Sequence, residues 1–200
     1  MTHDAQVSRE GAEGGVRAIA GLGNPGPEYL HTYHNVGMLS IPILASFLAP
    51  DVFPPGNAPS FSRYKDSFEY TKAGDLSFVK PLTFMNDSGR AVKEALRVLG
   101  ASPSALAVAH DDSDLPLGAF KIVRGGGAAG HKGILSIIDH LGTDDFLRIR
   151  IGIRDPHEVH RKKAGDFVLS PIPPRDMETL EKVFVQIGEM LKEEEARRKE

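Results

Sequence analysis

Residues 18–26 read AIAGLGNPG. A short apolar run entering a glycine-rich turn is how a buried parallel strand ends, and the rest of the fold is read outward from it. The stretch also satisfies G-x-G-x-x-G, the loop that seats a dinucleotide at the start of a helix. Its neighbours exclude that second reading. A dinucleotide loop needs the helix to begin among the glycines, so that its first amides face the pyrophosphate. Here Pro25 and Pro27 intervene, and Gly26 precedes a proline, which pushes it out of helical geometry. The helix is therefore predicted to start late, near Asn35. The acid expected about 20 residues on is also missing from a strand end. The nearest candidate, Asp51, sits among prolines.

Outward from this first strand (residues 16–22), strands and helices alternate. Residues 35–48 read as a helix that Pro42 should kink or delay. Residues 50–60 hold four prolines and a glycine and read as a loop. Residues 61–72 and 76–80 alternate as two strands about the turn Ala73-Gly74-Asp75. Val92, Leu96 and Leu99 recur at helical spacing, which predicts a helix over 88–99 capped by Asn86 or Ser88. Ala105–Ala109 is a short buried strand ending in His110-Asp111-Asp112. A further strand, Phe120–Val123, runs into Gly125-Gly126-Gly127. Residues 131–141 suit a helix, Phe146–Ile153 a strand, and about 174–197 the last helix. This alternation predicts an α/β fold: a single-domain three-layer sandwich, with a mostly parallel mixed sheet flanked by helices. One domain spans 16–200, behind a polar tail over 1–15 that reads as flexible.

Composition narrows the function classes. At 200 residues, 40% hydrophobic and 26% charged, the chain suits one water-soluble domain with a real core. No apolar run approaches the ~18 residues that span a bilayer, so no membrane partner is expected. The absence of cysteine excludes disulfides, thiol nucleophiles and cysteine-ligated metals. The first 15 residues lack the apolar centre of a secretory signal, which points to the cytoplasm, bacterial or organellar. Net charge is −3, yet residues 117–165 hold nine Lys/Arg against five Asp/Glu, and residues 166–200 hold six against nine. A basic segment before an acidic tail leaves room for a phosphate-binding face, although scattered solvated charges read the same way.

Polar groups gather at predicted strand ends, where open α/β sheets bind ligands. Asn24, Tyr29, Thr32, His34 and Asn35 fall within twelve residues. Phe84-Met85-Asn86, His110-Asp111-Asp112 and Gly130-His131-Lys132 end at comparable places. Asparagines, histidines and an aspartate on converging loops suit acyl or ester chemistry.

Five segments then carry a specific resemblance: GLGNPGPEYLHTYHNVG (21–37), KPLTFMNDSG (80–89), HDDSDLPLG (110–118), GGGAAGHKG (125–133) and FLRIRIGI (146–153). Their order and spacing over residues 16–155 resemble the bacterial-type peptidyl-tRNA hydrolase family. The resemblance implies a monomeric enzyme that hydrolyses the ester between peptide and tRNA, with no metal and no cofactor. It implies that His34 is the general base, that Asp111 holds it, and that Asn24 belongs to the catalytic set. Asp112 and Asp114 are nearby competitors of Asp111. Tyr29, Phe84, Asn86, His131 and Lys132 are implied as substrate contacts. Lys121, Arg124, Arg148 and Arg150 are implied as contacts to a tRNA phosphate. In a regular strand Lys121 and Arg124 face opposite ways, whereas Arg148 and Arg150 share a face.

The chain departs from the family twice. Tyr33 stands where arginine is usual, and Lys132 where asparagine is usual. Lysine offers donors and a charge but no acceptor, so it suits a nucleotide phosphate better than a peptide N–H. A non-enzymatic RNA-binding module on the same fold is the alternative. The presence of His34, Asp111, Asn24 and Asn86 favours the enzyme, because RNA binding alone needs none of that set.

Overall fold

The computed structural model describes residues 15–54, 56–157 and 163–198, so the expected tail falls outside it except for Gly15. Strand β1 (Ala18–Gly21) is buried along its whole length. It pairs in parallel on both sides, with β4 (Leu76–Pro81) and β5 (Leu106–Pro116). Burial on both faces explains why its sequence is apolar throughout rather than alternating. The remaining strands are β2 (Ser62–Tyr64), β3 (Phe68–Ala73), β6 (Phe120–Arg124) and β7 (Leu147–Arg154). Together they form one sheet in the order β2-β3-β4-β1-β5-β7-β6. The four central strands run parallel, and antiparallel pairings close both edges.

Helices α1 (Val36–Leu48) and α4 (Pro174–Arg197) cover one face, where Ile19, Ala109 and Ile149 meet Leu44 and Phe184. Helices α2 (Ser88–Leu99) and α3 (Lys132–Leu141) cover the other, where Ala18, Ala20 and Val108 meet Val92 and Ile134. Adjacent residues of β1 thus feed opposite cores, as the pleat requires. No described helix is long and apolar enough to cross a membrane.

Helix α1 lies on the sheet at backbone contact. A Cβ at Gly21 would sit 2.3 Å from the Gly37 carbonyl oxygen, and one at Gly37 would sit 2.2 Å from that of Ala109. Only glycine permits this approach. Pro42 lies inside the helix and does not delay it, because Ile41, Leu44 and Ala45 are fully buried against the sheet around it.

Three other expectations need correction. The run 61–72 is two strands, because a turn at Lys65 (φ +51°) folds β2 back onto β3 and stacks Tyr64 on Phe68. Neither Asn86 nor Ser88 caps α2: a 3-10 turn over Met85–Asp87 leads into it, Asp87 holds the cap position, and the Ser88 hydroxyl donates back to Met85 O. Finally, β5 does not stop at Ala109. It continues through His110, Asp111 and Asp112, which pair with Arg150, Ile151 and Gly152 of β7.

Candidate active site

The C-terminal ends of β4, β1 and β5 open into one cleft of about 590 Å³. His34 reaches it from a 3-10 turn (Tyr33–Asn35) ahead of α1. The turn is stitched to the segment before α4, since His34 N–H donates to Val168 O and Tyr33 N–H to Ser170 O. Asn35 points away from the cleft and clasps Asn24. Its Oδ1 accepts from Asn24 N–H at 2.8 Å and its Nδ2 donates to Asn24 O at 2.9 Å. The Asn24 side chain is oriented in turn, because its Oδ1 accepts from Met85 N–H at 2.8 Å. That bond assigns the amide: Nδ2 has no partner among the described residues, and Asn24 lines the cleft.

Asp111 is the centre of the arrangement. It is buried on β5, and its Oδ1 accepts from His34 Nδ1 and from His131 Nε2, both at 2.9 Å. Burial raises its carboxyl, but the charges and hydrogen bonds of His131 and His34 outweigh that and hold it well below the usual carboxylate range.

The proton positions follow from the partners. His131 is the N-cap of α3, and its Nδ1 accepts from Gly133 N–H at 3.1 Å and Ile134 N–H at 3.2 Å. An atom accepting two backbone donors carries no proton, so His131 is the Nε2–H tautomer and donates to Asp111. An ionised Asp111 accepts only, so His34 donates from Nδ1. Its Nε2 lone pair is left for chemistry, and His34 lines the cleft. His34 Nδ1, Asp111 Oδ1 and His131 Nε2 lie within 4.8 Å of one another, close enough for metal ligation. The donor chemistry does not fit a metal, because the His131 cap keeps a proton on the very nitrogen that would ligate.

Gly127 of the glycine run lines the cleft, whereas His110 and the wall residues Ala128, Val168 and Leu169 carry no individual signal in the sequence. His110 sits in the HDD run. Val168 and Leu169 come from a segment with no periodic signal. His110 is buried edge-on to His131, its Nδ1 donates to Asp111 O at 2.7 Å, and its Nε2 has no partner. Burial, followed by the nearby His131, pushes it down to about 3, so it is neutral. The unfolded chain therefore binds a proton below about pH 6.5 that the folded chain refuses down to about pH 3. Folding stability should fall as pH drops through that window, by up to about 1.4 kcal/mol per pH unit from this group. Chemical denaturation of His110→Phe should show a flatter profile there, and an unchanged slope would refute the assignment.

Arg148 and Arg150 also line the cleft. Arg148 is buried and donates to Gly127 O at 2.7 Å, while its Nε has no partner. Arg150 Nε donates to Asp112 Oδ2, so Asp112 is committed to an ion pair and not to His34. Lys121 pairs with Arg150 across β6 and β7, which puts it on the same face. Arg124 is on the opposite face, engaged by Ser104 O and Asp145. Phe84 is exposed at the rim with Tyr29 edge-on to it at 6.3 Å, and Asn86 and Lys132 complete that side. Tyr33 points the other way: its hydroxyl donates to Asp176 of α4 and its ring packs edge-on to Phe167. Burial and the Asp176 contact push that phenol well above its usual range.

A carboxylate-held histidine at the C-terminal edge of an α/β sheet is an arrangement suited to activating water, as hydrolases do. The chain belongs to the peptidyl-tRNA hydrolase family, whose model matches residues 18–198. A peptidyl-tRNA hydrolase of Coxiella burnetii is 40% identical over 163 residues, 82% of each chain. One of Persephonella marina is 39% identical over 169 residues, 84% of this chain and 85% of that protein. The crystal structure of an arginine-to-glutamine variant of the Acinetobacter baumannii peptidyl-tRNA hydrolase superposes with a TM-score of 0.75 at 28% identity, covering 92% of this chain and 90% of that one.

Proposed function

We infer that this chain hydrolyses the ester between the peptide and the tRNA of peptidyl-tRNA, freeing the tRNA for translation. The observation that carries the reading is the His34–Asp111–His131 array, in which fixed donors leave one base nitrogen at the cleft. Water is a poor nucleophile at neutral pH. His34 Nε2 takes its proton as the oxygen attacks the ester carbonyl, and Asp111 stabilises the imidazolium. The Asn24 side-chain Nδ2–H donates to the oxyanion that forms. As the tetrahedral intermediate collapses, the C–O bond to the ribose breaks and His34 returns the proton to the departing oxygen. Peptide carboxylate and tRNA leave. No step asks for a metal or a cofactor. Asn86 and His131 flank the peptide, and Tyr29 and Phe84 offer aromatic faces to the unpaired 3′ bases. Release of a blocked amino acid from a model peptidyl-tRNA tests the reading directly. We further propose that the enzyme acts as a monomer in the cytoplasm.

For the tRNA phosphate, geometry favours Arg148, Arg150 and Lys121, which share a face, over Arg124, which lies on the opposite face. Arg150→Gln and Lys121→Gln should each raise KM for full-length substrate. Each should flatten its salt dependence by about 0.7–0.9 log–log units per lost contact. A minisubstrate ending just short of the contacted phosphate should be spared. Equal damage to both substrates would mark the residue as structural.

A further inference from the structure

His34 sits in a 3-10 turn of only three residues, Tyr33–Asn35, whose N-cap Thr32 makes no side-chain cap bond. So short a turn has little stability of its own. Its neighbours hold it from two sides. Asn35 is clasped to Asn24 beyond β1. On the other side the chain runs antiparallel to the segment before α4. Ile172 N–H donates to His31 O, Thr32 bridges to Pro171, and the N–H groups of Tyr33 and His34 donate to Ser170 O and Val168 O. Residues 167–173 form neither a helix nor a regular strand, so they hold the turn only as firmly as they are held themselves.

The Tyr33 side chain reaches both ends of that segment. Its ring packs edge-on to Phe167 at 6.2 Å, and Arg154 at the end of β7 lies over the same Phe167 ring at 5.6 Å. Its hydroxyl donates to Asp176 in the first turn of α4. Helix α4 is a firm mount, because Leu180, Val183, Phe184 and Ile187 bury it against the sheet. A carboxylate in the first turn is also favoured by the helix dipole. Burial, together with Asp176, keeps the phenol protonated well beyond its usual range, so it remains a donor at every working pH.

We propose that Tyr33 is a positioning residue, which through its hydrogen bond to Asp176 anchors the turn that carries His34 to α4 and so keeps the imidazole aimed between Asp111 and the cleft. This rests on the hydrolase reading and deepens it. Tyr33 and His34 are adjacent in one short turn and face opposite ways, the first toward α4 and the second toward the cleft. A pull on one is therefore a tilt of the other. Misplacing a catalytic group by about 1 Å costs about 10²-fold in rate. With the backbone bonds and the Asn24 clasp still in place, loss of the hydroxyl should displace His34 by a fraction of that, which corresponds to about a five- to tenfold loss.

The test compares wild type, Tyr33→Phe, Asp176→Ala, Asp176→Asn and the Tyr33→Phe/Asp176→Ala double variant. Phenylalanine keeps the ring on Phe167 and removes only the hydroxyl. For release of a blocked amino acid from a model peptidyl-tRNA, kcat should fall about five- to tenfold in Tyr33→Phe and in Asp176→Ala, with KM nearly constant. The double variant should be no slower than either single one, because both break the same link. Asp176→Asn keeps an acceptor oxygen and should stay close to wild type. The melting temperature of Tyr33→Phe should drop by only about 2–4 °C. A merely structural role would produce that drop alone. The second readout is the proton resonance of His34 Nδ1–H, identified by its loss in His34→Ala. It should broaden or move upfield in Tyr33→Phe, as the bond to Asp111 loses its single geometry. An unchanged kcat or an unchanged proton signal in Tyr33→Phe, or losses that multiply in the double variant, overturns the proposal. Wild-type inactivity on the blocked substrate would instead overturn the hydrolase reading, and the proton signal would then decide the proposal by itself.

Discussion

His34→Ala should lower kcat by about 10²–10⁴-fold, the usual worth of a positioned general base. The fold should survive. The side chain is only partly buried and gives up one hydrogen bond, to Asp111. His131 still satisfies that carboxylate from the other side. The turn that carries His34 is held by backbone bonds to Val168 and Ser170, which alanine keeps. Binding of substrate should therefore change little, and the loss should fall on kcat. Single-turnover release of a blocked amino acid, beside a thermal melt of the same preparation, separates the two effects. Near-wild-type turnover from a folded His34→Ala would remove His34 from the mechanism.

Asp111→Asn is the second large effect, and the His131 cap sets its form. His131 must keep Nδ1 bare for the helix amides, so its Nε2–H needs an acceptor at the Oδ1 position. The asparagine oxygen is turned toward that donor. It therefore stays in place to accept from His34 Nδ1 as well. The correct His34 tautomer persists, and what is lost is the negative charge opposite the imidazolium. A hydrolase triad whose histidine also takes the wrong tautomer loses about 10⁴-fold on this change. Here the fall in kcat should be closer to about 10²-fold, with KM nearly constant. In wild type the carboxylate stays ionised through the range where ordinary carboxylates protonate, so no acid limb of the rate profile belongs to it. A rate unchanged in Asp111→Asn would show that no charge is required beside His34.

Much of this was legible in residues 18–26 and their echoes along the chain. The buried first strand, the late helix and the reading of α3 and α4 all follow from apolar spacing and proline placement, which are local signals. The errors were made where a tertiary partner overrode the local signal. The sequence HDD looks like a strand end because three polar residues in a row have no face to hide. In the folded chain β7 pairs with them, and histidines and an arginine satisfy their side chains. Arg124 likewise takes its partners, Ser104 and Asp145, from segments about twenty residues away that its own strand does not announce. His131 could be placed at the site from its motif. Its double duty as helix cap and carboxylate donor depends on distances that no spacing encodes.

The clasp between Asn24 and Asn35 bears on how the site tolerates motion. Two reciprocal hydrogen bonds tie the loop that carries the oxyanion donor to the residue next to the base. Base and donor are thus mounted on one cassette, itself keyed to the sheet through the glycine contact of α1. A displacement of the His34 turn should therefore carry both groups together, and the Met85 N–H on the Asn24 side chain ties the donor to the start of α2 as well. The spacing of the proposed base and the proposed oxyanion donor is set by the Asn35 side chain, which touches neither the water nor the oxyanion.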